Sequence, residues 1–269
     1  MRVDFVKMHG LGNDFVVIDD REDRLPAFEA SRVRLLADRH LGIGCDQFIQ
    51  LKPSNVATCK MLIHNADGGE VEACGNASRA VGLLLGEAAT LETLGGTIAT
   101  RPDAAGISVD MGEPRFAWAD IPLAYAMDTL AMPIGWDSLE QPVAVNVGNP
   151  HAVFFVPDCD AVPLAELGPR IEHDEIFPAR VNVNVATVTD RETIRLRVWE
   201  RGVGLTRACG TGACATAVAA MRRGLTERAV TVHLPGGPLR IAWGDDNRIT
   251  MTGPATVSFR GSFAWDDFT

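Results

Sequence analysis

The chain has 269 residues, 46% of them hydrophobic and 22% charged, with a formal net charge of −10. That length suits one large or two medium globular domains, and the acidic balance argues against a nucleic-acid binder, which shows a basic face. The sequence holds no run of 18 apolar residues, residues 1–4 enter a strand pattern rather than a signal peptide, and six cysteines lack any C-x-x-C pair. The expectation is therefore a reduced, cytoplasmic protein with no membrane, metal or disulfide framework.

Taken in order, residues 3–6 and 15–19 are β-rich runs joined by a turn containing Gly10, Gly12 and Asn13. No Gly-Lys-Ser/Thr follows, so the turn is not a phosphate loop. Residues 26–40 read as a helix with Ala30, Val33, Leu36 and Ala37 on one face. Strands follow at 48–51 and 59–64, and Asn65 opens a loop leading through Cys74-Gly75-Asn76 into an apolar run at 81–85. A strand pair is expected near 97–100 and 107–111. The stretch up to Pro142 is irregular and rich in proline, and the first part of it holds the expected domain junction. The second half reads as strands at 143–147 and 152–156 around Gly148-Asn149-Pro150-His151, a helix at 163–173, and strands at 180–187 and 194–199. A loop carrying Glu200 and Arg201 then leads through Cys209-Gly210-Thr211 into an alanine-rich helical run at 214–221, with Thr211 as the expected N-cap. Strands close the chain at 230–234, 239–243, 249–252 and 255–259.

The two cysteine segments repeat each other. When Cys74 is laid on Cys209, Gly69 meets Gly204, Ala73 meets Ala208, Gly75 meets Gly210 and Ala80 meets Ala215. With slightly shifted offsets, Gly12-Asn13 meets Gly148-Asn149 and Gly95-Gly96 meets Gly236-Gly237. Ordered matches with drifting offsets are what a duplicated domain leaves, and the repeat is far longer than a solenoid unit. The expected domains are 1–118 and 119–269, with the last strand packing back on the first.

A cysteine at a helix start meets unpaired N–H groups and a partial positive charge. Its thiolate is favoured there, with pKa values of roughly 3.5–7.5, and the same N–H groups can hold a carboxylate. Two such cysteines in related halves suit a site in the cleft between them, where one sulfur takes a proton from a carbon and the other returns one to the opposite face. The α-proton of an amino acid is a very weak acid, and pyridoxal phosphate would need a lysine. Lys7, Lys52 and Lys60 are the available lysines, and none sits in a cofactor context. Without a cofactor, helix N-termini must stabilise the charge that gathers on the carboxylate.

The segments Gly10-Leu11-Gly12-Asn13-Asp14-Phe15, Gly42-Ile43-Gly44-Cys45-Asp46-Gln47, Asn65-Ala66-Asp67-Gly68, Ala73-Cys74-Gly75-Asn76, Gly148-Asn149-Pro150-His151, Glu200-Arg201-Gly202-Val203-Gly204 and Ala208-Cys209-Gly210-Thr211-Gly212 resemble the diaminopimelate epimerase family. The resemblance covers nearly the whole chain. It implies an α/β (α+β) fold of two pseudo-symmetric domains, each a barrel-like, mostly antiparallel sheet around a central helix. It also implies cofactor-independent interconversion of LL- and meso-diaminopimelate, and a homodimer. By the resemblance, Cys74 and Cys209 are the acid/base pair, and Gly75, Asn76, Gly210 and Thr211 bind the carboxylate at the reacting carbon. Asn13, Gln47, Asn65, Asn149, Asn182, Glu200 and Arg201 line the rest, with Arg201 suited to a distal carboxylate. His151 and Glu200 would tune the proton affinity of the thiols. The chain departs from the family pattern at Ala77, Ala80 and Leu205, and Phe259 stands where a tyrosine tied to dimer formation is often found.

Three other readings compete. A proline or hydroxyproline racemase would share the paired cysteines but has no use for the Glu200–Arg201 clamp. A phenazine-pathway isomerase would lack the cysteines. A non-catalytic amino-acid-binding module would need the helix starts but not both thiols.

Overall fold

The alternation of β-branched and polar residues, broken by glycine turns, builds two sheets in the computed structural model, which describes residues 1–72 and 74–268. The contacts divide the chain into two units, Met1–Val109 with Gly253–Thr269, and Asp110–Thr252. In the first unit the elements are β1 (Arg2–Gly10), β2 (Asn13–Asp19), α1 (Ala30–Ala37), β3 (Gln47–Lys52), β4 (Cys59–Asn65), α2 (Gly75–Leu85), β5 (Ala89–Thr93), β6 (Gly96–Asp103) and β7 (Gly106–Asp110). In the second they are the hairpin β8 (Gly135–Trp136) and β9 (Leu139–Glu140), then β10 (Val143–Asn146), β11 (Pro150–Phe155), α3 (Leu164–Glu172), β12 (Asn182–Asp190), β13 (Thr193–Glu200), β14 (Gly204–Thr206), α4 (Gly210–Arg222), β15 (Ala229–Leu234), β16 (Gly237–Trp243) and β17 (Ile249–Gly253). The final strand, β18 (Thr256–Ala264), pairs antiparallel with β1.

The two sheets follow one pairing plan. In the first, β1–β2 is antiparallel, β2–β3 parallel, β3–β4 antiparallel, β4–β5 parallel, and β5–β6 and β6–β7 antiparallel. In the second, β10–β11, β11–β12, β12–β13, β13–β15, β15–β16 and β16–β17 repeat that series in the same order. A helix fills each parallel crossover, α1 and α2 in the first unit and α3 and α4 in the second, as parallel pairing requires. Most pairs are antiparallel, and the sheet of each unit wraps a helix. α2 packs on β1, β2, β5, β6 and β18, and α4 on β10, β11, β12, β13, β15 and β16.

The wrapped helices are buried on nearly every side, which explains their small residues. Ala77, Ala80 and Val81 pack against Val6, Met8, Phe15, Val17, Ile49 and Met61. Gly82 lets α2 lie close to the sheet, because a Cβ there would stand 2.9 Å from the Ile107 side chain. α4 buries Ala213, Cys214, Ala215, Ala217, Val218, Ala219 and Ala220, the pattern of a core helix rather than a surface one.

Two expectations need correction, and one element has no counterpart among them. The helix expected at 26–40 shrinks to Ala30–Ala37, because Asp38 turns extended and its carboxylate accepts from the backbone N–H groups of His40 and Leu41, a local bond that competes with helix. The five residues of β5 were not anticipated, although Ala89, Leu91 and Thr93 alternate inward. The N-cap of α4 is not Thr211 but Cys209, whose sulfur accepts from the Gly212 N–H at 3.3 Å.

Candidate active site

Each sheet brings its polar turn residues to the end where its wrapped helix begins. In the first unit the two-residue turn Leu11-Gly12, both at positive φ, closes β1 on β2 with Gly10 opposite Asn13. The strand register sets Phe15 beside Gln47 and Gln47 beside Asn65. Gln47 Nε2 donates to Asn65 Oδ1 at 3.1 Å, and Asn76 Nδ2 donates to Asn13 Oδ1 at 3.1 Å. Cys74 is the half-buried N-cap of α2, its sulfur 3.5 Å from the Ala77 N–H, and Gly75 and Asn76 form the first turn. Ala73, part of the motif read from the sequence, lies outside the described residues.

A charged cluster holds that end in place. Asp46 accepts from Asn13 Nδ2 at 3.0 Å, and Asp14 takes Lys7 at 2.6 Å and Arg39 at 2.7 Å. Burial alone would raise the Asp14 pKa, but the bonds from Arg39 and Lys7 and the Lys7 charge outweigh it and hold the carboxyl below its ordinary value.

In the second unit the same construction gathers Asn149, His151, Asn182, Glu200, Cys209, Gly210 and Thr211. His151 pairs with Asn182 across β11–β12, and Val183 with Trp199 across β12–β13, which places Glu200 at the same end. Asn182 Oδ1 accepts from the Arg201 N–H at 2.9 Å, and its Nδ2 donates to the Pro150 carbonyl at 2.8 Å. Asn149 Nδ2 donates to Thr211 Oγ1 at 3.3 Å. Arg201 is exposed, with one guanidinium nitrogen on the Ala179 carbonyl at 2.9 Å. The Thr206 hydroxyl donates to Glu200 Oε1 at 2.5 Å.

The electrostatics around Cys209 correct the expectation of a favoured thiolate. Burial first, and then the Glu200 carboxylate, push this thiol well above its ordinary value, while the Thr211 hydroxyl and the Gly212 N–H act against them. The helix start is present, but Cys209 is only 4% exposed, and a desolvated sulfur beside a carboxylate keeps its proton. His151 is fully buried, and burial holds its pKa down at about 3, with the Arg201 charge contributing. The ring is neutral at physiological pH.

Two residues escaped the sequence reading. Glu172, at the end of α3, is 2% exposed and accepts from Trp199 Nε1 at 2.7 Å and from the Gly202 N–H at 2.9 Å. It fastens the loop that carries Glu200 and Arg201. Asn184 is fully buried and lies 3.0 Å from His151 Nδ1. The period-two spacing of Asn182 and Asn184 within an apolar strand put both on one face, and that was the available signal. Nothing in the sequence around Glu172 distinguishes it from a surface acid of an amphipathic helix.

Two mixed sheets, each wrapped on a helix that starts at a cysteine, make up the architecture. The fold matches a phenazine biosynthesis protein of the PhzF family from Enterococcus faecalis at a TM-score of 0.73, with 14% identity over 98% of this chain and 100% of that one. A hydroxyproline epimerase from Agrobacterium vitis superposes at 0.67 with 15% identity, over 98% of this chain and 93% of the other. The family model for diaminopimelate epimerase matches residues 5–117 and 143–258. A diaminopimelate epimerase of Erythrobacter litoralis is 65% identical over 268 residues, spanning 100% of both chains. The chain belongs to the diaminopimelate epimerase family.

Proposed function

We propose that the chain is a cofactor-independent isomerase that interconverts LL- and meso-diaminopimelate, with Cys74 and Cys209 as its two proton-transferring groups. The observation that carries this reading is the duplicated cap: in both halves a cysteine sulfur closes the first turn of the helix that the sheet wraps.

In this mechanism a thiolate on one sulfur takes the α-proton and becomes a thiol, and the electron pair of the broken C–H bond flows into the α-carboxylate. The other thiol then gives its proton to the opposite face and becomes a thiolate. The stereocentre is inverted, and the sulfurs have exchanged protonation states, ready for the reverse reaction. The helix starts at Gly75-Asn76 and Gly210-Thr211 hold the carboxylate as its charge grows. With Glu200 beside it, Cys209 is suited to enter the cycle as the acid. Glu200 and Arg201 receive the ammonium and carboxylate of the distal head, and Asn13, Gln47, Asn65, Asn149 and Asn182 line the site.

Each sequence half is read as one domain of the duplicated pair. The enzyme works as a homodimer in the cytoplasm, and sedimentation equilibrium tests the dimer. Among the described residues no helix is long and apolar enough to cross a membrane. The deciding assay is incubation in heavy water with LL-diaminopimelate. Deuterium enters Cα in the unmodified chain, and Cys74→Ala and Cys209→Ala each stop inversion. Inversion at an undiminished rate in either variant rejects the two-sulfur scheme, and turnover of proline instead of diaminopimelate rejects the substrate.

A further inference from the structure

The geometry points to Asn184 as a positioning residue that sets the direction of a hydrogen-bond chain ending on the sulfur of Cys209. The proposal deepens the two-thiol reading and rests on it for its catalytic meaning, but its geometry stands apart from any substrate.

The chain begins at two backbone carbonyls. Asn184 Nδ2 is 3.3 Å from the Ala152 oxygen and 3.3 Å from the Asn182 oxygen. Carbonyl oxygens only accept, so the nitrogen of this amide, not its oxygen, must face them. The same nitrogen lies 3.0 Å from His151 Nδ1, and that ring atom must therefore be the acceptor. The ring is fully buried and neutral, which leaves its one proton on Nε2. Nε2 lies 2.8 Å from Asn149 Oδ1 and donates to it.

With its oxygen occupied in this way, Asn149 turns its amide nitrogen to Thr211 Oγ1 at 3.3 Å. A hydroxyl has one proton to give and two lone pairs. Thr211 accepts from Asn149 and keeps its own proton for Cys209 Sγ, 3.5 Å away. The Gly212 N–H adds a second donor at 3.3 Å. Both favour the sulfur as a thiolate, against the Glu200 carboxylate that favours the thiol. Every direction in the chain follows from the first, so a side chain that cannot donate at position 184 removes the reason for all the others. Among the described residues the buried oxygen of Asn184 has no hydrogen-bond partner, so this side chain holds the donor orientation at the expense of its oxygen.

The charged groups that face this chain, among the described residues, are Glu200 beside Cys209 and Arg201 near His151. Both stay in place in the test.

The test uses the full chain with 15N-labelled histidine. The His151 resonances are expected to show a pyrrole-type Nε2 and a pyridine-type Nδ1, unchanged across neutral and mildly alkaline pH. Asn184→Asp, whose carboxylate only accepts, moves the proton to Nδ1 or leaves the ring doubly protonated. Alkylation of Cys209 by iodoacetamide, resolved from Cys214 by fragmentation mass spectrometry, slows roughly tenfold at fixed pH in Asn184→Leu, the equivalent of about one unit in thiol pKa. The wild-type spectrum needs no variant, and a protonated Nδ1 there overturns the proposal. An unchanged ring in Asn184→Asp together with an unchanged alkylation rate in Asn184→Leu does so as well. Neither readout involves diaminopimelate, so failure here leaves the epimerase reading to its own deuterium assay.

Discussion

Removing the charge of Glu172 is expected to loosen the loop that carries Glu200 and Arg201 without touching either residue. Its two oxygens serve two donors, Trp199 Nε1 at 2.7 Å and the Gly202 N–H at 2.9 Å. Arg180 stands 3.7 Å away, but its guanidinium is half exposed, so water screens it and the pair adds little. In Glu172→Gln the amide oxygen keeps one of the two bonds, and the NH2 group must then face the other donor. Losing one bond to a buried carboxylate costs about 1.5–3 kcal/mol, which for a chain of this size lowers Tm by roughly 3–12 °C. The turn at Gly202, already at positive φ, then samples other conformations. Because the loop is proposed to hold the distal head of the substrate equally in ground and transition states, KM rises and kcat changes little. Differential scanning calorimetry and initial rates measure the two effects. A Tm and KM both equal to wild type would show that Glu172 does not hold the loop, and a fall confined to kcat would refute the proposed role of the loop.

Three further outcomes are expected. Gly212→Ala places a Cβ 2.7 Å from Asn184 Oδ1 and 3.2 Å from Cys209 Sγ; overpacking of this kind costs about 1–3 kcal/mol, and both the melting temperature and the inversion rate should drop, whereas Gly86→Ala meets nothing within 4 Å and perturbs only the left-handed cap. Asp14 has its folded pKa depressed below the ordinary 3.8, so its contribution is complete above that value and is lost as pH falls through the folded one; Asn in its place should flatten the acid limb of urea-denaturation stability. For His151 the folded pKa of about 3 lies below the ordinary 6.5, so below about pH 6.5 the unfolded chain binds a proton that the folded chain refuses. Stability then falls by up to about 1.4 kcal/mol per pH unit toward pH 3, and His151→Gln should lose that slope; parallel slopes in the two proteins would place the buried imidazole elsewhere in the account.

The repeated fold was legible because it is written in spacing. The glycines and cysteines of the two halves occupy matching places, and the strand runs of β13 and β16 show their own alternation. The polar residues at the turns stood out for the same reason: Asn13 and Asn149 each follow a glycine, and Asn65 ends β4, where the backbone turns. What escaped was set by contacts distant in sequence. α1 is short because Asp38 finds backbone donors at 40 and 41, a choice that helix propensity does not register. Cys209 is held as a thiol because burial, and then Glu200, brought beside it by the β13–β14 turn, outweigh the helix start, and no count along the chain gives that balance. Glu172 and Asn184 are buried polar groups whose side-chain partners, Trp199 and His151, lie 27 and 33 residues away, in elements that become neighbours only once the sheet has formed.

Duplication gives the two halves a common scaffold, and the chemistry proposed for them requires that they differ. Two thiols of equal proton affinity in equal surroundings would have no reason to begin a cycle as one base and one acid. The strands that precede the two cysteine helices end at corresponding positions, β4 at Asn65 and β13 at Glu200. The first is a neutral amide engaged by Gln47, and the second is a carboxylate that raises the neighbouring thiol. The difference at this repeat position sets a carboxylate beside one cysteine helix and an amide beside the other, while the strand-pairing plan and the cysteine caps stay the same. The hydrogen-bond chain from Asn184 works in the opposite sense, supplying donors to the same sulfur. Cys209 therefore sits between a carboxylate that keeps its proton and a hydroxyl and an N–H that receive its charge. That is the environment needed by a group proposed to give up a proton in one direction of the reaction and take one in the other.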